Sequence, residues 1–177
     1  MISAPFPPKQ SGFSLVEVLI TLLIISIGLL GVAKMQALAI GNTKTASSRS
    51  IAAIHAASLS SAMYANKAYW AAGLAPSIVQ INGSVLTDSI LDSQATDCVS
   101  SSCTAVQMAG YDLKSWGIAL QQLPSGAGKV TCSTAAGSPI NCSVTVSWNE
   151  KYIGLNQSSL DAAQQLSTQS LVLLVQP

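Results

Sequence analysis

Three residues near the start of the chain carry the clearest chemistry: Gly12, Phe13 and Glu17. From Phe13 to Ala33 the single charged side chain is Glu17. A helix over that run rises about 31 Å, the thickness of a bilayer's hydrocarbon core. A carboxylate at the start of such a segment is costly in lipid until a cation meets it. The second chemistry is at the Gly12–Phe13 peptide bond. The leader Met1–Gly12 has Lys9 as its only charge and prolines at 5, 7 and 8. A secretory signal is cut after its apolar region. Here the polar-to-apolar junction precedes that region, so a cut after Gly12 leaves the apolar helix on the product and creates an amine at Phe13, four residues before Glu17.

The other candidate groups suggest framework more than catalysis. Cys98, Cys103, Cys132 and Cys142 permit three disulfide connectivities. The local pairs Cys98–Cys103 and Cys132–Cys142 are preferred, because each sits at a plausible turn. Disulfides imply an oxidising compartment such as a bacterial periplasm. The cysteine spacings match no zinc site, and the chain has one histidine, so no metal or cofactor is expected. His55 lies among alanines, Ile54 and Leu59, as a structural or surface histidine would. Asp112 and Ser115 are one helical turn apart with no histidine near in sequence, so Asp112 is read as a local cap or polar anchor. Gly126-Ala-Gly128-Lys129 lacks the upstream glycine of a phosphate loop and has Val130 where Ser/Thr belongs; it reads as a turn into a strand. Lys34, Lys44 and Arg49 read as ordinary charges beyond the membrane. Charged residues make up 8% of the chain and the net charge is +1, a poor footprint for nucleic acid.

These residues need a long helix and a compact head to hold them. No proline occurs between Pro8 and Pro76. Past Lys34 the apolar residues Met35, Leu38, Ala39, Ile51, Ala52, Ile54, Leu59, Ala62 and Met63 fall mostly at three- and four-residue spacings. The pattern predicts a helix from about Phe13 to about Tyr69, about 85 Å long, ended by Gly73 and Pro76. Its first half must find neighbours in lipid or in other helices. Gly41-Asn42-Thr43 is its weakest stretch. Gly28 and Gly31 would let another helix approach, although ordinary membrane-helix usage explains them equally well. Beyond it, Ser77–Thr87 suggests a small hairpin around Asn82-Gly83. Thr104 and Gln107 have capping-box spacing. The helix they open is expected to reach about Leu123, with Leu113, Trp116, Leu120 and Leu123 as its buried stripe. Cys142, Val144, Val146 and Trp148 alternate with Ser143, Thr145, Ser147 and Asn149, which is a strand with one buried face. Lys129–Ser133 is its natural antiparallel partner. Ser170–Val175 reads as a buried or sheet-closing strand. Trp116 and Trp148 read as core residues. The expected class is α+β, an antiparallel sheet packed on the long helix. Residues 1–12 form a removable leader, 13–34 the transmembrane half of the helix, 35–72 its extracytoplasmic half and 73–177 the globular head. Lys9 ahead of the helix places the N-terminus in the cytoplasm by the positive-inside bias.

Gly12-Phe13-Ser14-Leu15-Val16-Glu17 resembles the prepilin peptidase site of type IV pilins and pseudopilins. Met63-Tyr-Ala-Asn66, Tyr111-Asp112-Leu113 with Trp116, Leu123-Pro124-Ser-Gly126 and Val144-Thr-Val-Ser-Trp148 are similar to the type IV pilus modification proteins, the PilV-type minor pilins. The resemblance implies a type IV pilin-like fold and cleavage after Gly12, with methylation of the Phe13 amine. It makes Glu17 the acid that meets a neighbouring subunit's amine during assembly. It also implies a non-enzymatic protein whose partners are the prepilin peptidase, other minor and major pilins, the inner membrane before assembly and, at a filament tip, an adhesin. Many major pilins kink this helix with a proline, and this chain has none there. Two rival readings remain: a minor pseudopilin of a type II secretion system, and a membrane-anchored periplasmic binding protein that never assembles.

Overall fold

A computed structural model describes residues 12–133, 138–151 and 166–177. All of the expected leader except Gly12 lies outside these residues.

Helix α1 runs Leu15–Ala65. Its start is set by Ser14, whose carbonyl accepts the amides of Glu17 and Val18 at 3.0 and 3.2 Å. Phe13 therefore precedes the helix, which begins two residues after the expected start. The expected run to Tyr69 is interrupted at Asn66 (φ −111°, ψ 53°), and a short helix α2, Lys67–Trp70, follows. The break has a tertiary cause. The Asn66 side-chain amide donates to the Ala105 carbonyl at 2.8 Å, which fixes that residue to the start of a later helix. Gly73, in the left-handed region at φ +70°, then turns the chain away.

The chain divides into two units, residues 1–42 and Thr43–Pro177. In the first, the described residues are the beginning of α1, and its apolar side chains from Phe13 to Val32 are exposed. The second contains every buried core residue among those described.

Among the described residues five antiparallel strands form one sheet in the order β2-β1-β3-β4-β5. They are β1 Ile78–Asn82, β2 Val85–Leu86, β3 Ala127–Cys132, β4 Cys142–Lys151 and β5 Leu166–Val175. The expected first hairpin exists, with Asn82 opposite Val85. Its two-residue loop is thus Gly83-Ser84, one position later than the Asn-Gly pair suggests. Gly83 takes φ +57°, as the first central residue of such a loop requires. Helices α3, Ser89–Asp92, and α4, Ala105–Leu120, lie in sequence between β2 and β3. The capping box at α4 is formed reciprocally by Thr104 and Gln107. The helix stops at Leu120, a turn before the expected end, yet Leu123 remains buried in the turn that follows.

One core joins α1, α4 and the inner face of the sheet. Helix α1 supplies Ala52, Ala56, Leu59 and Met63. Ile54, expected in that stripe, is 65% exposed, because two helical residues past Ala52 is the opposite side of the helix. Helix α4 supplies Leu113, Trp116 and Leu120, and the sheet supplies Val79, Ile81, Val130, Val144, Val146 and Trp148. Trp116 lies directly over Gly128, where an added Cβ would come within 2.2 Å of the ring. The Trp116 N–H donates to the His55 carbonyl at 2.8 Å, so α4 and α1 are joined through an indole. β5 takes the sheet-closing reading rather than the buried one. It is an edge strand paired with β4, and Val172 and Leu174 on its outer face are 57% and 81% exposed. Among the described residues the helices cover one face of the sheet, and alternate residues of β5 face outward.

Candidate processing and assembly site

Gly12 and Phe13 lie just before α1, outside any helix or strand, and Glu17 in its first turn. With Ser14 as the residue that accepts the first helical bonds, Glu17 is the third helical residue. An acid there is favoured by the partial positive charge of the helix N-terminus. Phe13 is 83% exposed, and Glu17 and Gly12 are exposed as well. Nothing in the fold requires glycine at position 12. A Cβ there would meet no atom within 4 Å, and the residue is not in the left-handed region. The same holds for Gly28 and Gly31 on α1, where interior glycine costs about 1 kcal/mol relative to alanine. From Leu15 onward α1 has a window of mean hydropathy 2.6 with none of it buried, long and apolar enough to cross a membrane. An exposed scissile-type bond, an exposed acid and an uncovered apolar helix are thus contiguous.

The four cysteines lie elsewhere, in the head. Cys98 is bonded to Cys103 and Cys132 to Cys142. The second bond joins residues directly opposite each other in the β3–β4 ladder. Among the described residues no cluster of His, Cys, Asp and Glu is arranged to hold a metal ion. Asp112 is neither a cap nor an anchor. It sits mid-helix in α4, and burial pushes its carboxyl above the usual range. Tyr69 lines a cavity of about 280 Å³ with Leu74, Pro76, Asp88, Ile90 and Val106. Burial first, and the Asp88 charge second, push its phenol up to about 12.

Sequence reasoning missed one polar network. Arg49, read as an ordinary charge, donates from Nε and Nη2 to the two carboxylate oxygens of Glu150, each at 3.2 Å. The Trp148 indole N–H donates to Glu150 Oε1 at 2.9 Å. Glu150 is 9% exposed, and the Arg49 bonds, then the Trp148 bond, hold its carboxyl below the usual range against the opposing effect of burial. The signal was present in the alternation of β4. Cys142, Val144, Val146 and Trp148 continue to Glu150 on the inner face, and an acid on that face needs a partner.

Residues 7–33 match the family model described as the prokaryotic N-terminal methylation motif. No curated protein matches the chain, and no solved structure does. The motif indicates a type IV pilin-like prepilin, pilin or pseudopilin, processed by prepilin peptidase and assembled with other pilins. The α+β head on a long apolar helix is consistent with that class. That class is one of structural proteins, and the motif, with one N-terminal apolar helix among the described residues, is consistent with anchoring in an inner membrane before entry into a filament.

Proposed function

We propose that the chain is a minor pilin of a type IV pilus. The carrying observation is the motif Gly12-Phe13…Glu17 at the head of an exposed, proline-free apolar helix. The leader to Gly12 is removed, Phe13 becomes the methylated N-terminus, and the helix holds the subunit in the inner membrane with its N-terminus in the cytoplasm and its head in the periplasm. The requirement for glycine at 12 comes from the peptidase, since the fold imposes none. In lipid, Glu17 is an uncompensated carboxylate. The Phe13 amine stays cationic when methylated and sits at the positive end of the helix dipole, where a cation is disfavoured. A neighbouring subunit relieves both costs at once, when one protomer's amine meets another's Glu17. That pairing draws the subunit into the filament and sets its axial register. The head motifs around Tyr111–Trp116 and Val144–Trp148 favour the minor-pilin branch.

Mass spectrometry of the N-terminus, on protein from membranes and from sheared filaments, tests the reading. A methylated Phe13 terminus in both fractions is expected. Retention of residues 1–12 in the working form would remove the amine and overturn it. A processed terminus that depends on a type II secretion machine, with none in sheared pili, would transfer the chain to the pseudopilins.

A further inference from the structure

The two disulfides occupy unlike surroundings. Cys132 and Cys142 are 5% and 1% exposed, inside the core cluster and opposite each other in the sheet. Cys98 and Cys103 are partly exposed and close a loop whose tip, Val99, is 81% exposed, with Ser100, Ser101 and Ser102 exposed beside it. That loop is also pinned at both ends by bonds that do not pass through sulfur. On one side Asp97 accepts the Val99 amide at 3.0 Å and the Ser100 hydroxyl at 2.9 Å, and the Asp97 carbonyl accepts the Ser101 amide at 3.1 Å. On the other, Thr104 and Gln107 form the capping box, and Gln107 Nε2 donates to Thr96 Oγ1 at 3.1 Å. Opening the Cys98–Cys103 bond therefore leaves its flanks in place. The two sulfurs also differ as leaving groups. Cys103 immediately precedes the N-cap of α4, where the helix N-terminus stabilises a thiolate. Cys98 follows the Asp97 carboxylate, which disfavours one.

We propose that Cys98–Cys103 is a thiol-exchange site of the folded protein, open to dithiol reductants, whereas Cys132–Cys142 is closed to them until the head unfolds. The reductant's thiolate attacks Cys98 Sγ and forms a mixed disulfide there, while the Cys98–Cys103 bond breaks with its electron pair leaving on Cys103. The reductant's second thiolate then attacks its own sulfur in that mixed disulfide. It departs as a cyclic disulfide, and Cys98 leaves as a thiolate. The two protons released by the dithiol protonate the two cysteines. The site is independent of how the N-terminus is processed.

The test uses the full chain in detergent micelles under native conditions. Dithiothreitol is added, aliquots are alkylated over time, and peptide mass spectrometry follows each pair while circular dichroism follows the fold. Cys98 and Cys103 should be labelled at least about tenfold faster than Cys132 and Cys142, at a rate proportional to dithiothreitol and with unchanged circular dichroism. Equal rates for the two pairs, or earlier labelling of Cys132 and Cys142, would overturn the proposal. A second arm uses glutathione, a monothiol that traps the first step. An adduct on Cys98 is expected, and one chiefly on Cys103 would overturn the assignment of the leaving group.

Discussion

Replacing Glu17 with alanine isolates the electrostatic step of assembly. Glu17 is exposed in the first turn of α1, in the unit whose described residues contribute nothing to the core. Its loss removes a helix-end interaction of about 0.3–1 kcal/mol, confined to that turn. Among the described residues no buried core residue precedes Ala52, so the head should unfold at an unchanged temperature. The membrane term is larger. An ionised side chain within a membrane helix costs about 2.5–3.5 kcal/mol on insertion scales, a ceiling for a residue near the end of the span. The alanine variant is relieved of that cost in the membrane and loses the gain of pairing in the filament. At about 1.4 kcal/mol per tenfold, the filament-to-membrane ratio should fall by about 60- to 300-fold at most. Glu17→Gln, which keeps the shape and removes the charge, should behave alike. Quantitative immunoblots of sheared filaments and membranes, in cells that still make pili, measure the ratio. The N-terminus should still begin at Phe13 in both variants. Wild-type recovery of either variant in filaments would refute the reasoning, because no charge would then be needed for incorporation.

The remaining predictions concern the leader, the core and two of the perturbed acids. Gly12→Ser should leave the melting temperature of the head unchanged, since a Cβ meets nothing there, and should block processing, seen as the uncut mass in membranes. Gly128→Ala should destabilise the head by about 1–3 kcal/mol through collision with the Trp116 ring, read by urea titration, with an unchanged midpoint counting against that contact. Glu150 has a folded pKa below its ordinary value of 4.5, so its contribution is complete above that value and is lost as pH falls through the lower folded one. Thermal melts from about pH 5 to pH 3 should therefore show a steeper acid loss for wild type than for Glu150→Gln. Asp112 has the opposite sign. Its raised pKa penalises the ionised form in the folded state, so Asp112→Asn should raise the melting temperature at neutral pH and have little effect in acid.

Much of the head was legible because its signals are local. The alternation over Cys142–Trp148 produced β4, the Thr104–Gln107 spacing produced the capping box, and the stripe Leu113–Trp116–Leu120 is buried as expected. Local signals failed where a distant group decides. The break at Asn66 depends on a carbonyl 39 residues away, and the pairing of Arg49 depends on a carboxylate 101 residues away. Neither partner is visible from a helical pattern. β5 was ambiguous for a related reason, since a run apolar on both faces does not reveal that the helices cover only one of them.

Sequence by itself determined the membrane-length apolar helix, the acid at its start and the glycine before it. Those features depend on spacing along one segment and on its contrast with water or lipid. Tertiary structure alone decided which side chains of the helix's second half are buried, how Glu150 is compensated, which cysteine pair is shielded from solvent and where the sheet ends. Each of those depends on surfaces brought together from distant parts of the chain, and burial and partner choice are properties of the assembled fold.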